Sequence, residues 1–228
     1  MIALFKRNYS PADLFTIAAN LLPIAGVWFW GWNAVEVFTV YAMETLIVGI
    51  ITVFQMGVVT VLARPRDTWY NKGSSTQKSG FFFIFFFIMH YGIFAAVQSS
   101  IFAESANIIP PGKGSLHFFF HWYSYINGDI ALMLGAFVIS YIAQQVIPFL
   151  SSGAYKTTPL MVIMFMPYGR IIIQQFTVII GSMFLAFGWG KGFILVFAVA
   201  KLLFDLYVNM NKMVDKTIKD MDENYTQP

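Results

Sequence analysis

The chain of 228 residues contains no cysteine, which excludes disulfides, thiol nucleophiles and any zinc or iron–sulfur site held by thiolates. Charge is scarce as well. Asp, Glu, Lys and Arg make up 11% of the residues, less than half the roughly 25% usual in soluble domains. Histidine occurs only three times. There is no phosphate-cradling glycine loop, no serine nucleophile elbow and no His-Glu-x-x-His pattern, and nothing in the sequence supports nucleic-acid binding.

What the chain has in quantity is apolar surface, with 58% hydrophobic and 18% aromatic residues. These gather into blocks of about 18 to 29 residues, near or above the roughly 20 that cross a hydrocarbon core as a helix. The fold expected is all-α, a polytopic membrane helix bundle with about six transmembrane helices over residues 1–209 and a charged tail over 210–228. The spans consume nearly the whole chain and leave no room for a soluble catalytic domain.

Lys6 and Arg7 precede an apolar run longer than a signal-peptide core, with no small-x-small cleavage pattern after it, so that run reads as a retained first span. It extends from about Asp13 to Gly31, with Ser10 as N-cap and Asn20, Pro23 and Gly26 inside it. The second span runs from Ala34 to about Leu62, where Tyr41, Glu44, Val48 and Gln55 follow helical spacing and form one semi-polar face. A basic loop over Ala63–Gly80 leads to a third span, Phe81 to about Ala103, carrying His90, Tyr91 and Gln98. Next come a turn at Pro110-Pro111-Gly112 and an aromatic interfacial segment, Leu116–Ile126. The fourth span covers about Asp129–Leu150. The fifth runs from Pro159 to about Phe187, with Pro167 and Gly169 expected to open the backbone near Arg170. The last ends near Val208, with Lys201 and Asp205 as a local pair.

The cations sort the two sides of such a bundle. Lys6, Arg7, Arg64, Arg66, Lys72, Lys78, Lys156, Lys212, Lys216 and Lys219 fall on one side, against Lys113 and Lys191 on the other. The positive-inside rule then places both termini in the cytoplasm, with the chain in an inner (cytoplasmic) membrane.

Glu44 and His90 each lie about ten residues from a membrane entry, about 15 Å deep at ~1.5 Å per residue. Arg170 cannot shed its proton and needs a counter-ion, carbonyls or water around it. The expected site is a convergence of Glu44, His90 and Arg170, with Asn20, Tyr41 and Gln174 around it. In it Arg170 anchors an anion, Glu44 is the counter-ion and His90 the proton-responsive partner. That site predicts the binding or transport of a small or amphipathic ligand. The same residues also suit a helix-locking ion pair in an assembly subunit, or an acid and base in an intramembrane enzyme. His117 and His121 have the i, i+4 spacing of metal ligands. A third ligand is evident only in Glu104 or Asp129, so an aromatic anchor is favoured and no metal is expected. The sequence assigns no cofactor. The partners expected are the lipid bilayer and either a second copy of the chain or a membrane protein complex.

The order Asn20…Pro23…Gly26, Tyr41…Glu44, His90-Tyr91-Gly92 and Tyr168-Gly169-Arg170-Ile171 resembles a bacterial membrane-protein family, catalogued as domain of unknown function six-four-nine-eight. The resemblance covers Ser10 to about Val208. It implies a multi-pass membrane protein and supplies no activity.

Overall fold

The computed structural model describes residues 11–71, 74–189, 191–192, 194–195 and 199. Helices dominate: α1 (Pro11–Phe29), α2 (Ala34–Val58), α3 (Gly80–Ser105), the short α4 (His117–His121), α5 (Gly128–Tyr141), the short α6 (Ile147–Ser151) and α7 (Leu160–Ala186). Three helical stretches among the described residues are long and apolar enough to cross a membrane: Ala34–Ala63, Gly80–Ser105 and Gly128–Ser151.

Local chemistry fixes the ends of these helices. Asn33 caps α2, its side chain accepting from Val35 N while Glu36 reaches back to Asn33 N, so two otherwise orphaned amides are satisfied. Beyond Val58 the helix widens into one π turn, Val59–Ala63, and stops where Pro65 disfavours a helical residue before it. A second π turn, Ile142–Val146, joins α5 to α6. It precedes Pro148, which lacks an N–H and would clash with a carbonyl one turn back, so the wider turn accommodates it. Pro167 interrupts nothing, because α7 is helical throughout, contrary to the opening expected near Arg170.

α2 is the central helix, packed against α3, α5 and α7, while α1 packs on α5 and α3 on α7. One buried cluster joins α2 to α5 and to the far end of α3 through Val37, Phe38, Tyr41, Phe102, Met133 and Phe137. A second joins α2, α3 and α7 through Met56, Phe83, Phe87, Leu160 and Met164. Close approach of α2 and α3 rests on glycine. The Tyr91 ring lies where a Cβ on Gly49 would sit, and Thr60 covers Gly80. The Tyr91 hydroxyl also donates to the Thr45 carbonyl at 2.7 Å.

The basic segment expected to be a loop is instead an antiparallel hairpin, β1 (Arg66–Asn71) and β2 (Ser74–Ser79), with Arg66 opposite Ser79 and Asn71 opposite Ser74. Its strands are too polar to signal themselves by alternation. Tertiary contacts seat them: Trp69 packs on Phe82, Phe83 and Phe86 of α3, with ring centroids 5.1–5.5 Å apart. Asp67 accepts from Leu160 N, at the start of α7, at 2.7 Å and pairs with Arg64 at 3.5 Å. Arg64 donates to the Thr158 carbonyl. The carboxylate therefore lies at the positive end of the α7 dipole and fixes the hairpin to that helix.

Candidate functional site

Glu44 is 1% exposed. It lies on the face of α2 that meets α5, where the Tyr141 hydroxyl donates to its Oε1 at 2.6 Å. Tyr41, one turn earlier on α2, packs its ring on Phe137 of α5 at 6.2 Å. The expected semi-polar face is therefore real and buried: Tyr41, Glu44, Val48 and Gln55 are all inside the protein. The sequence reading did not single out Tyr141. Its only local signal is a phenol in the last turn of an apolar helix, just before a π turn.

The α3 side of the same helix adds a second polar group. Thr60 meets Gly80 and Gly49 meets Tyr91, so α2 and α3 run antiparallel in a register that sets Gln98 level with Ala42, between Tyr41 and Thr45. Gln98 is 1% exposed. Both ends of its amide, and the Thr45 hydroxyl oxygen, have no hydrogen-bond partner among the described residues. Burying such groups unpaired costs about 1–3 kcal/mol each. A polar seam thus runs along α2, with a carboxyl and a phenol at the contact with α5 and the Thr45 hydroxyl and the α3 amide of Gln98 buried at nearby levels. The groove between α1 and α5, lined by Leu22, Pro23, Met133, Ala136 and Phe137, is apolar and does not extend this seam.

His90 lies elsewhere. It is exposed on the outer face of α3, stacked on Phe86 with centroids 5.6 Å apart, and its Nδ1 is 2.7 Å from the Tyr168 hydroxyl. Tyr168 in turn sets its ring edge-on to Tyr91 and Phe87. Two of the short motifs, His90-Tyr91-Gly92 and Tyr168-Gly169-Arg170, are thus brought together where α3 meets α7. Glu44 and His90, expected to converge, have described partners on different helices, Tyr141 of α5 and Tyr168 of α7. The backbones of Asn20, Arg170 and Gln174 lie in α1 and α7, and their side chains fall outside the described residues, as do Lys201 and Asp205.

The aromatic segment after the Pro110-Pro111-Gly112 turn is α4 followed by a 3-10 turn, Trp122–Tyr125. Phe118 is fully buried against Phe102 of α3 and Tyr125. Phe120 and Tyr123 remain exposed, as suits an interfacial element. His117 and His121 stack with centroids 4.4 Å apart and planes 10° apart. Desolvation first, then the neighbouring His121 and Lys113, lowers the pKa of His117 from the usual imidazole value. No group of three or more His, Asp or Glu side chains converges among the described residues.

No curated protein and no solved structure matches the chain. A family model described as a family of unknown function, DUF6498, matches residues 3–223. With a helical bundle, three span-length apolar helices and a match over nearly its whole length, the chain belongs to that family.

Proposed function

We propose that the protein is a multi-pass protein of the bacterial inner membrane, with about six spans and both termini inside, which binds or transports a small ligand at the polar seam of α2. The observation that carries this reading is the Gln98 amide, buried with neither end partnered among the described residues. Buried amides are kept where something satisfies them. The described donors and acceptors are a carboxyl, two hydroxyls and an amide, a set that fits a small hydrogen-bonding ligand, neutral or cationic.

Thermal unfolding in lipid nanodiscs, with ammonium, potassium, sodium and small neutral amides as ligands, tests the site. At least one should raise the wild-type midpoint by a few degrees and leave Gln98→Met unmoved. Ligand-free Gln98→Met should be as stable as the wild type or more so, since an apolar group of similar shape removes the unpaired amide. If no ligand separates the two proteins and Gln98→Met is destabilised, the amide is structural and the binding reading fails. Exposed His90, paired with half-buried Tyr168 beside exposed apolar residues of α3, then favours the rival reading, an assembly subunit that buries this face against a partner.

The absence of cysteine makes the topology directly measurable. A single cysteine at Lys113→Cys should react with a membrane-impermeant maleimide added from outside. Thr76→Cys, in the hairpin, should react only after the inner membrane is opened. Labelling of both from one side would refute the crossing of α3, and the inverse pattern would refute the orientation.

A further inference from the structure

We infer that His117 and His121 form a two-histidine site for a borderline divalent transition-metal ion, with Cu2+ the tightest binder. This site is independent of the α2 seam.

The rings are side by side on one face of α4, near-parallel and 4.4 Å apart between centroids. Two imidazole nitrogens, each about 2.0–2.1 Å from one ion, are roughly 3–4 Å apart. Small torsional adjustments of two partly exposed side chains close the difference. The short helix is held in place by Phe118, buried between Phe102 and Tyr125, so the histidine face is presented from a fixed base.

The hydrogen bonds behind the rings select the nitrogens that face outward. His121 Nδ1 is 3.2 Å from the His117 carbonyl oxygen. A carbonyl only accepts, so Nδ1 carries the proton and neutral His121 keeps its lone pair on Nε2. His117 Nδ1 is 3.1 Å from the Tyr125 hydroxyl, a group that can accept from the same tautomer. In that tautomer both Nε2 atoms are available for coordination, each backed by a group that orients the ring, as in metal sites where the second ring nitrogen donates to a carbonyl or similar acceptor. Imidazole donors suit copper, nickel and zinc, and the order of affinities for divalent ions peaks at Cu2+. Two protein ligands leave further positions for water or for a donor on another molecule.

The test uses the full-length chain without a histidine tag, in detergent, titrated with Cu2+ and read by electron paramagnetic resonance. One copper per chain with nitrogen hyperfine splitting is expected. His117→Gln and His121→Gln should each weaken binding at least tenfold, whereas His90→Gln should leave it unchanged. Tyr125→Phe, which retains both ligands, should weaken binding by about tenfold and preserve the one-to-one stoichiometry. The inference is overturned if the wild type shows no nitrogen-coordinated copper below about 1 mM, or if either glutamine variant binds like the wild type. Unchanged binding in Tyr125→Phe would overturn the orienting role of the phenol.

Discussion

Replacing Tyr141 by phenylalanine should lower the stability of the solubilised protein by about 1–3 kcal/mol, the range for a buried acceptor that loses its donor. The hydroxyl is the α5 donor to Glu44 Oε1, and both residues are buried. A double-mutant cycle distinguishes this bond from general packing. Glu44→Leu should cost clearly less in the Tyr141→Phe protein than in the wild type, with a coupling of roughly 1–3 kcal/mol. Chemical or thermal unfolding of the four proteins measures it. Additive costs would mean that the carboxyl and the phenol act independently, and the seam would lose its link between α2 and α5.

Gly80→Ala should destabilise by about 1–3 kcal/mol or more, as overpacking of a tight contact does. A Cβ there would stand 2.2 Å from Thr60 Oγ1, 2.5 Å from its Cγ2 and 2.8 Å from its Cβ. Turning the threonine about χ1 still leaves a heavy atom at one of the first two positions and does not move its Cβ. The Thr60 hydroxyl is moreover engaged with the Met56 carbonyl at 2.8 Å. The recovery should therefore be graded: Thr60→Ala combined with Gly80→Ala recovers part of the lost stability, and Thr60→Gly relieves more of this clash while adding its own helix penalty of roughly 1 kcal/mol. Equal melting of Gly80→Ala and wild type would show that α2 and α3 can separate here without cost. The Gly49–Tyr91 contact and the level of Gln98 depend on the same register.

The helices and their lengths were legible because they are local properties. Asn33 with Glu36 three residues on marks a helix start, Pro65 forces a stop, and an unbroken apolar run sets a length. Helical spacing was legible for the same reason, which is why Tyr41, Glu44, Val48 and Gln55 were read as one semi-polar face, and all four are buried. The side on which a neighbour lies was not. A helix such as α3 is apolar all round, so the 3.6-residue pattern that marks the inner face of a soluble helix carries almost no contrast. His90 and Gln98 could be placed on α3 but not on a face of it; the packing leaves one exposed beside Tyr168 and buries the other.

Partners distant in sequence lie beyond any local signal. Tyr141 reaches Glu44 across 97 residues, and Asp67 reaches Leu160 across 93, because α5 and α7 both pack on or beside α2. The hairpin was read as a loop since its strands carry no apolar–polar alternation, and the seating of Trp69 on the phenylalanines of α3 holds it in place. The sequence by itself determined an apolar helical chain, its segment ends and its family resemblance, all of which rest on composition and on neighbours within a turn or two. Which face meets which was decided only by tertiary structure, by the close contacts that Gly49 and Gly80 permit and by where each buried polar group finds a donor.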